Sequence, residues 1–244
     1  MINKHAEAVI LSAVRTPSGA FQGGYASLTA VDLGSVVIKA AVERAGITQP
    51  EGIQEVIMGN VVSAGLGQNP ARQAVIKAGL PFSVGAFTIN KVCGSALKAA
   101  MLAAQAIKAG DGDLFVAGGM ESMSRTPFLV DGRTGSLRFG HAQLTDALLN
   151  DGLWCALANW GMGDAAEFIA SEYDISREAM DDFAFRSQMK AVAAIDAGVF
   201  KDEIVAVEVK GRKGQVTLIE TDETPRRETT LEGLAKLRPA FQKE

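Results

Sequence analysis

Four short apolar runs, at 8–14, 55–59, 86–90 and 113–118, alternate with stretches of helical period in the first half of the chain. Such runs carry no polar face, so each reads as a strand covered on both sides. The stretches between them carry helix signals. Thr29 and Asp32 mark a capping box, Leu33, Val37, Ala40 and Ala41 make a buried stripe, and Gly46 stops the helix. Asn69 followed by Pro70 caps and opens another. Strands alternating with helices fold into α/β layers around one mainly parallel sheet. The sequence therefore predicts an α/β fold with these four runs as strands of that sheet.

The texture changes after Gly119. Residues 120–127 fit neither period, and 132–140 is rich in Gly and Arg. Two helices are expected near 163–173 and 176–197, the second capped by Ser176 with Glu178 in its first turn. The runs 203–210 and 215–221 flank Gly211-Arg212-Lys213-Gly214 and predict a β-hairpin. The chain thus reads as an α/β unit, 1–123, followed by a helical and hairpin excursion, 124–244.

Cys93 falls where the third apolar run turns into the helix that begins at Gly94. Open N–H groups and the dipole at a helix N-terminus present partial positive charge. That charge favours the thiolate, which is the nucleophilic form of cysteine. Gly94 and Ser95 leave the approach uncrowded. Most free cysteines are small buried hydrophobes; the strand–Cys–helix context is what points to catalysis here.

Composition narrows the remaining classes. Cys93 and Cys155 are the two cysteines; they make no disulfide framework and fit a reducing compartment. His5 and His141 are the two histidines, which is too few for a multi-His metal centre. A formal net charge of −4 argues against a general nucleic-acid surface and leaves room for a local basic pocket for a phosphorylated ligand. No window reaches the apolar length of a membrane span, and 8–14 is too short for a signal peptide core. The expectation is a cytoplasmic protein with no metal, no nucleic-acid partner and no membrane partner.

Six segments, taken together and in order, resemble the N-terminal part of a thiolase of the acetyl-CoA acetyltransferase type. They are Val14-Arg15-Thr16-Pro17, Gly59-Asn60-Val61, Asn69-Pro70-Ala71-Arg72, Asn90-Lys91-Val92-Cys93-Gly94-Ser95, Gly118-Gly119-Met120-Glu121-Ser122-Met123-Ser124 and Leu237-Arg238-Pro239-Ala240-Phe241. The resemblance implies a fold of two similar βαβαβ-rich halves with a loop domain inserted in the first. It implies that Cys93 attacks a thioester and is acylated, and that its N–H supplies one oxyanion donor. It places Leu153, Met162 and Arg226 at positions that contact coenzyme A, Arg226 through charge-assisted bonds to phosphate. Ordinary packing is the alternative for Leu153 and Met162, and a solvated loop charge for Arg226.

The implied activity is acyl transfer between acyl-CoA thioesters: Claisen condensation of acetyl-CoA, or thiolytic cleavage of 3-ketoacyl-CoA. No cofactor is implied beyond the coenzyme A thioester, which is the substrate. The family's Gly-His-Pro and Cys-x-Gly-Gly-Gly motifs, which carry its acid–base chemistry, do not occur in this sequence. Residues 1–244 alone are thus expected to be inactive in turnover. They are expected to form a homo-oligomer or to need a partner chain supplying the C-terminal half, through an apolar face left open. Two positions depart from the family pattern. Gly161 stands where acetyl-specific members carry His before Met-Gly, and Gly233 where Ser is often found. Two other readings remain: a non-catalytic CoA-binding or assembly subunit, and a ketoacyl-synthase-like condensing enzyme.

Overall fold

Val56, Ile57 and Met58 set the centre of the molecule. Successive side chains of a strand point to opposite faces, and these three are fully or almost fully buried. They belong to β1 (Glu55–Gly59). On one face Val56 and Met58 pack with Ile38 of α1 (Ala30–Arg44) and Ala71, Ala74 and Val75 of α2 (Pro70–Lys77). On the other, Ile57 meets Ala99 and Ala103 of α3 (Ser95–Ala109). β1 runs parallel to both neighbours, β2 (Gly85–Ile89) on one side and β3 (Phe115–Gly119) on the other. The result is a three-layer α/β sandwich with strand order β2-β1-β3. This structure is a computed structural model and describes residues 7–133, 137, 139–211 and 214–242.

Local signals place the helices as the sequence predicts. The Thr29 hydroxyl accepts from the Asp32 N–H, while the Asp32 carboxylate accepts from the Thr29 N–H. Asp32 also pairs with Lys77, tying α1 to α2. Asn69 caps α2 by accepting from the Arg72 N–H.

One expected strand is absent. Residues 8–14 form no ladder, and Ile10 is 85% exposed. The sheet therefore has three of the four predicted strands. Arg15 is drawn to the second unit: its N–H donates to the Glu203 carbonyl and its carbonyl accepts from the Val205 N–H. The run before it stands off β3 across a cleft of about 900 Å³ that is also lined by α1 and α3. An apolar run becomes a strand only where its N–H and C=O groups meet a partner. Here the outer edge of β3 is not reached.

After Gly119 the chain combines short strand pairs with helices, among them the longest of the described residues. β4 (Phe128–Leu129) pairs with β5 (Thr145–Asp146), and β6 (Trp154–Cys155) with β7 (Trp160–Gly161), both antiparallel. A π-helical turn, Leu148–Leu153, lies between β5 and β6. Then come α4 (Met162–Glu172), α5 (Arg177–Asp196), the antiparallel pair β8 (Val207–Lys210) and β9 (Val216–Ile219), and α6 (Leu231–Ala235). His5 and the expected hairpin tip Arg212-Lys213 lie outside the described residues.

The hairpin packs on the first unit. Val207 is buried with Tyr25 and Leu33. Arg15 grips Asp222 through two bonds of 2.6 and 3.0 Å and Glu203 through one of 2.5 Å. The Glu223 carboxylate accepts from the N–H groups of Ala20 and Gly24, which fixes the Gly-rich loop. Among the described residues no helix is long and apolar enough to cross a membrane.

Candidate active site

The sheet's C-terminal edge is where ligands of open α/β folds bind, and the chain leaves β2 at that edge to make the Cys93 turn. Only five residues separate the end of β2 from the start of α3. The crossing is tight enough to force Val92 to a φ of +49°. That region is costly for a residue with a Cβ, and a β-branched residue there is an outlier. Such strain persists only where surrounding contacts over-determine it.

Those contacts come from Ser95 and Asn90. The Ser95 side chain is buried; its hydroxyl accepts from the Lys91 N–H at 2.8 Å and donates to the Val92 carbonyl at 2.6 Å. Asn90 Oδ1 accepts from the Val92 N–H at 2.9 Å. The turn is thus held on both sides of Val92, and Cys93 emerges from it exposed. The first turn of α3 begins two residues later, with Gly94 as its cap and no side chain over its end.

Two glycines let α3 come this close to the sheet. A Cβ on Gly59 would lie 2.5 Å from Ser95 Cβ and 2.8 Å from the Ser95 carbonyl carbon. A Cβ on Gly119 would lie 2.9 Å from Ala96 Cβ. Any side chain at either strand end would push the helix, and the turn before it, outward.

A polar chain runs along the same edge. Asn60 is buried and donates to the Met120 carbonyl at 3.0 Å and to Glu121 Oε1 at 2.9 Å. Glu121 Oε2 accepts from the Val61 N–H at 2.7 Å. Ser63 donates to Asn60 Oδ1, and Asn90 Nδ2 to the Val61 carbonyl at 3.3 Å. In the sequence Asn60, Asn90 and Glu121 carry no signal of a role beyond their place in the matching segments, and Ser95 signals only an uncrowded approach to Cys93. Their membership of those segments was the available signal.

The three residues expected to contact coenzyme A all lie C-terminal to β3. Leu153 ends the π-helical turn, whose Gly152 lies against Val62 in the loop after β1. Met162 opens α4, and the Phe241 ring lies over the next residue, Gly163. Arg226 lines a hollow of about 510 Å³ with Thr229, Gly233 and Leu237. Its N–H donates to Gln188 Oε1. Its neighbour Arg227 is taken up by Asp196 in a two-bond pair, whereas the Arg226 guanidinium makes no ion pair with the described residues. Neither this hollow nor the larger cleft is lined by Cys93. Among the described residues no group of three or more His, Cys, Asp and Glu side chains could hold a metal ion.

Comparison with known proteins identifies the fold and the family. The model of the thiolase N-terminal domain matches residues 8–244. The acetyl-CoA acetyltransferase of Pseudomonas aeruginosa is 51% identical over 238 residues, covering 98% of this chain and 60% of that protein. That of Cupriavidus necator is 54% identical over 237 residues, covering 97% and 60%. The crystal structure of the Bacillus anthracis acetyl-CoA acetyltransferase superposes with a TM-score of 0.91 at 37% identity, over 96% of this chain and 59% of that one. The chain therefore spans about 60% of the length of the curated relatives it matches. With residues 8–244 matched by the thiolase N-terminal domain, and with an α/β core that superposes on a solved relative, this chain belongs to the thiolase family.

Proposed function

We propose that this chain carries the acyl-accepting part of a thiolase, with Cys93 as the nucleophile. The observation that carries the reading is the Cys93 turn: an exposed thiol presented by a strained, over-determined turn directly ahead of a helix N-terminus. The Cys93 sulfur attacks the thioester carbonyl of an acyl-CoA, and the C–S bond to coenzyme A breaks. Coenzyme A leaves as the free thiol with the proton from Cys93, and the acyl group stays on Cys93 as a new thioester. Partial positive charge at the start of α3 faces the site where negative charge gathers.

Arg226, Leu153 and Met162 are assigned to coenzyme A, Arg226 to a phosphate and the other two to its arm. The Arg226 guanidinium supports this, since an exposed cation that makes no ion pair among the described residues suits an anionic ligand. The thioester is the substrate, and no resident cofactor is needed. Turnover, whether condensation of acetyl-CoA or thiolysis of 3-ketoacyl-CoA, needs a base and a second proton-moving group besides Cys93. We assign these to a further polypeptide region, in cis or on a partner chain, that completes the site. The two units are taken as 1–123 and 124–244, and the two unpaired cysteines fit a reducing cytoplasm.

The test is incubation of the 244-residue chain with acetyl-CoA, followed by intact-mass measurement and peptide mapping. One acetyl group on Cys93 is expected, with none on a Cys93→Ser variant and negligible steady-state turnover. Sustained turnover by the pure chain, or equal acetylation of the Cys93→Ser variant, overturns the reading.

A further inference from the structure

Glu121 is a carboxylate whose bonds all serve backbone geometry. It is half-buried at the sheet edge, and among the described residues no Lys or Arg pairs with it. Both of its oxygens instead accept N–H groups: Oε1 from Asn60 Nδ2 and Oε2 from the Val61 main chain. A carboxylate accepts such bonds more strongly than a neutral group does. Val61 is thereby held through its N–H, and its own carbonyl receives Asn90 Nδ2. The other end of the Asn90 side chain receives the Val92 N–H. The path is continuous: Glu121, the Val61 backbone, the Asn90 amide, then the left-handed Val92 immediately before Cys93.

The amide of Asn90 is oriented by this path. Its donor end faces a carbonyl and its acceptor end faces an N–H, so a flipped amide would meet two unlike-matched groups. Fixing the Val61 backbone therefore fixes which way Asn90 points, and Asn90 in turn holds Val92 in a conformation it would otherwise leave. We propose that Glu121 and Asn90 are positioning residues for Cys93: through the Val61 main chain they hold the strained Val92 turn on which the thiol is presented. The inference rests on Cys93 as the acyl acceptor. It goes beyond that reading by naming what keeps Cys93 in place from 28 positions further along the chain, a contact that spans β1, β2 and β3.

Release of the turn lets Val92 relax to negative φ and carries Cys93 away from the start of α3. Two readouts on the 244-residue chain test this. The first is alkylation by iodoacetamide, scored as the rate at Cys93 relative to Cys155, which lies outside the path. The second is acetylation of Cys93 by acetyl-CoA. Glu121→Ala and Asn90→Ala are each expected to lower both rates about fivefold to tenfold, the factor set by a single hydrogen bond to a charged or strained group. Because they act through one path, the double variant should be no slower than the slower single variant. Glu121→Gln keeps an acceptor for the Val61 N–H and should recover most of the rate. Asn90→Ser, whose hydroxyl can make the same short-range turn bond to Val92, should recover it too.

Asn90 is exposed, so Asn90→Ala keeps the test alive if Glu121→Ala does not fold. An unchanged Cys93-to-Cys155 ratio in folded Glu121→Ala and Asn90→Ala overturns the inference, as does a fully multiplicative double variant. The two claims fail separately. If wild-type Cys93 is alkylated but never acetylated, the nucleophile assignment is wrong; if it is acetylated and the variants match wild type, only the positioning claim is wrong.

Discussion

Gly59→Ala is the most direct probe of how closely the sheet and the nucleophile turn are coupled. The new Cβ would meet Ser95 Cβ at 2.5 Å, the Ser95 carbonyl carbon at 2.8 Å and the Ala96 nitrogen at 2.9 Å. Two of these are backbone atoms that no rotamer change can move. Ordinary contact begins at 3.4 Å, so the first turn of α3 must withdraw by about 0.9 Å, the difference between 3.4 and 2.5 Å. Overpacking of this kind costs about 1–3 kcal/mol. The withdrawal also stretches the two Ser95 bonds to Lys91 and Val92, each contributing about 1 kcal/mol. Losing a glycine from the unfolded chain returns about 0.5–1 kcal/mol. The net expectation is a loss of about 3 kcal/mol, or about 6–12 °C in Tm for a chain of this size. A shift of about 1 Å at the Cys93 turn should slow acetylation by about a hundredfold. Thermal unfolding followed by circular dichroism and the acetyl-CoA mass assay read the two effects. Gly52→Ala serves as control, because nothing lies within 4 Å of a Cβ there. Gly59→Ala with the Tm and acetylation rate of the control would refute the coupling.

Tyr25→Phe is expected to stabilise the chain by about 1 kcal/mol, because the Tyr25 hydroxyl is buried without a partner among the described residues. Burial, with the Glu223 and Asp222 charges, pushes that hydroxyl up to about 12; a urea midpoint that falls rather than rises contradicts this. Asp222 is held below the ordinary carboxylate range by its bond to Arg15 first, with the Ser18 N–H helping and burial opposing. A depressed carboxyl adds stability above its unfolded value, about 3.9, and loses it as pH falls through the lower folded value. Wild type should therefore exceed Asp222→Asn in urea midpoint at neutral pH, and the gap should close below about pH 4; a gap that widens in acid contradicts it. Arg226→Ala should weaken coenzyme A binding about tenfold by calorimetry, the size of one charge-assisted bond, and equal affinity would remove Arg226 from the site.

Much of the α/β core could be read from local pattern. The apolar centre of β1 needs cover on both faces, and the Thr29 and Asn69 caps act within three residues, so sequence alone places these elements. The run 8–14 shows the limit. Its composition states a need for burial and says nothing about which edge can satisfy it. Arg15, the residue immediately after that run, commits its backbone to Glu203 and Val205 instead. The place of Cys93 between β2 and α3 was legible because its signal is local, a strand followed at once by a helix. The Glu121 path was not, since its bonds join residues 60 positions apart in sequence. Val92 carries no warning either: a valine in a left-handed turn is recognised only once the turn is seen.

The grip of Arg15 on Asp222 has a consequence for how the chain comes into being. The two partners are 207 positions apart. A ribosome adding about 5–20 residues per second needs roughly 10–40 s to go from one to the other. Through that interval β1, β2, β3 and their helices can already assemble from residues that have emerged. The amino end, with its exposed apolar run and the glycine-rich loop that Glu223 later fastens, must wait with only its bonds to Ala41 and Ser124. Nascent chains of intermediate length should thus be cut by protease ahead of Tyr25 while the sheet behind it resists. That susceptibility should close only when residue 223 and its neighbours have cleared the exit tunnel.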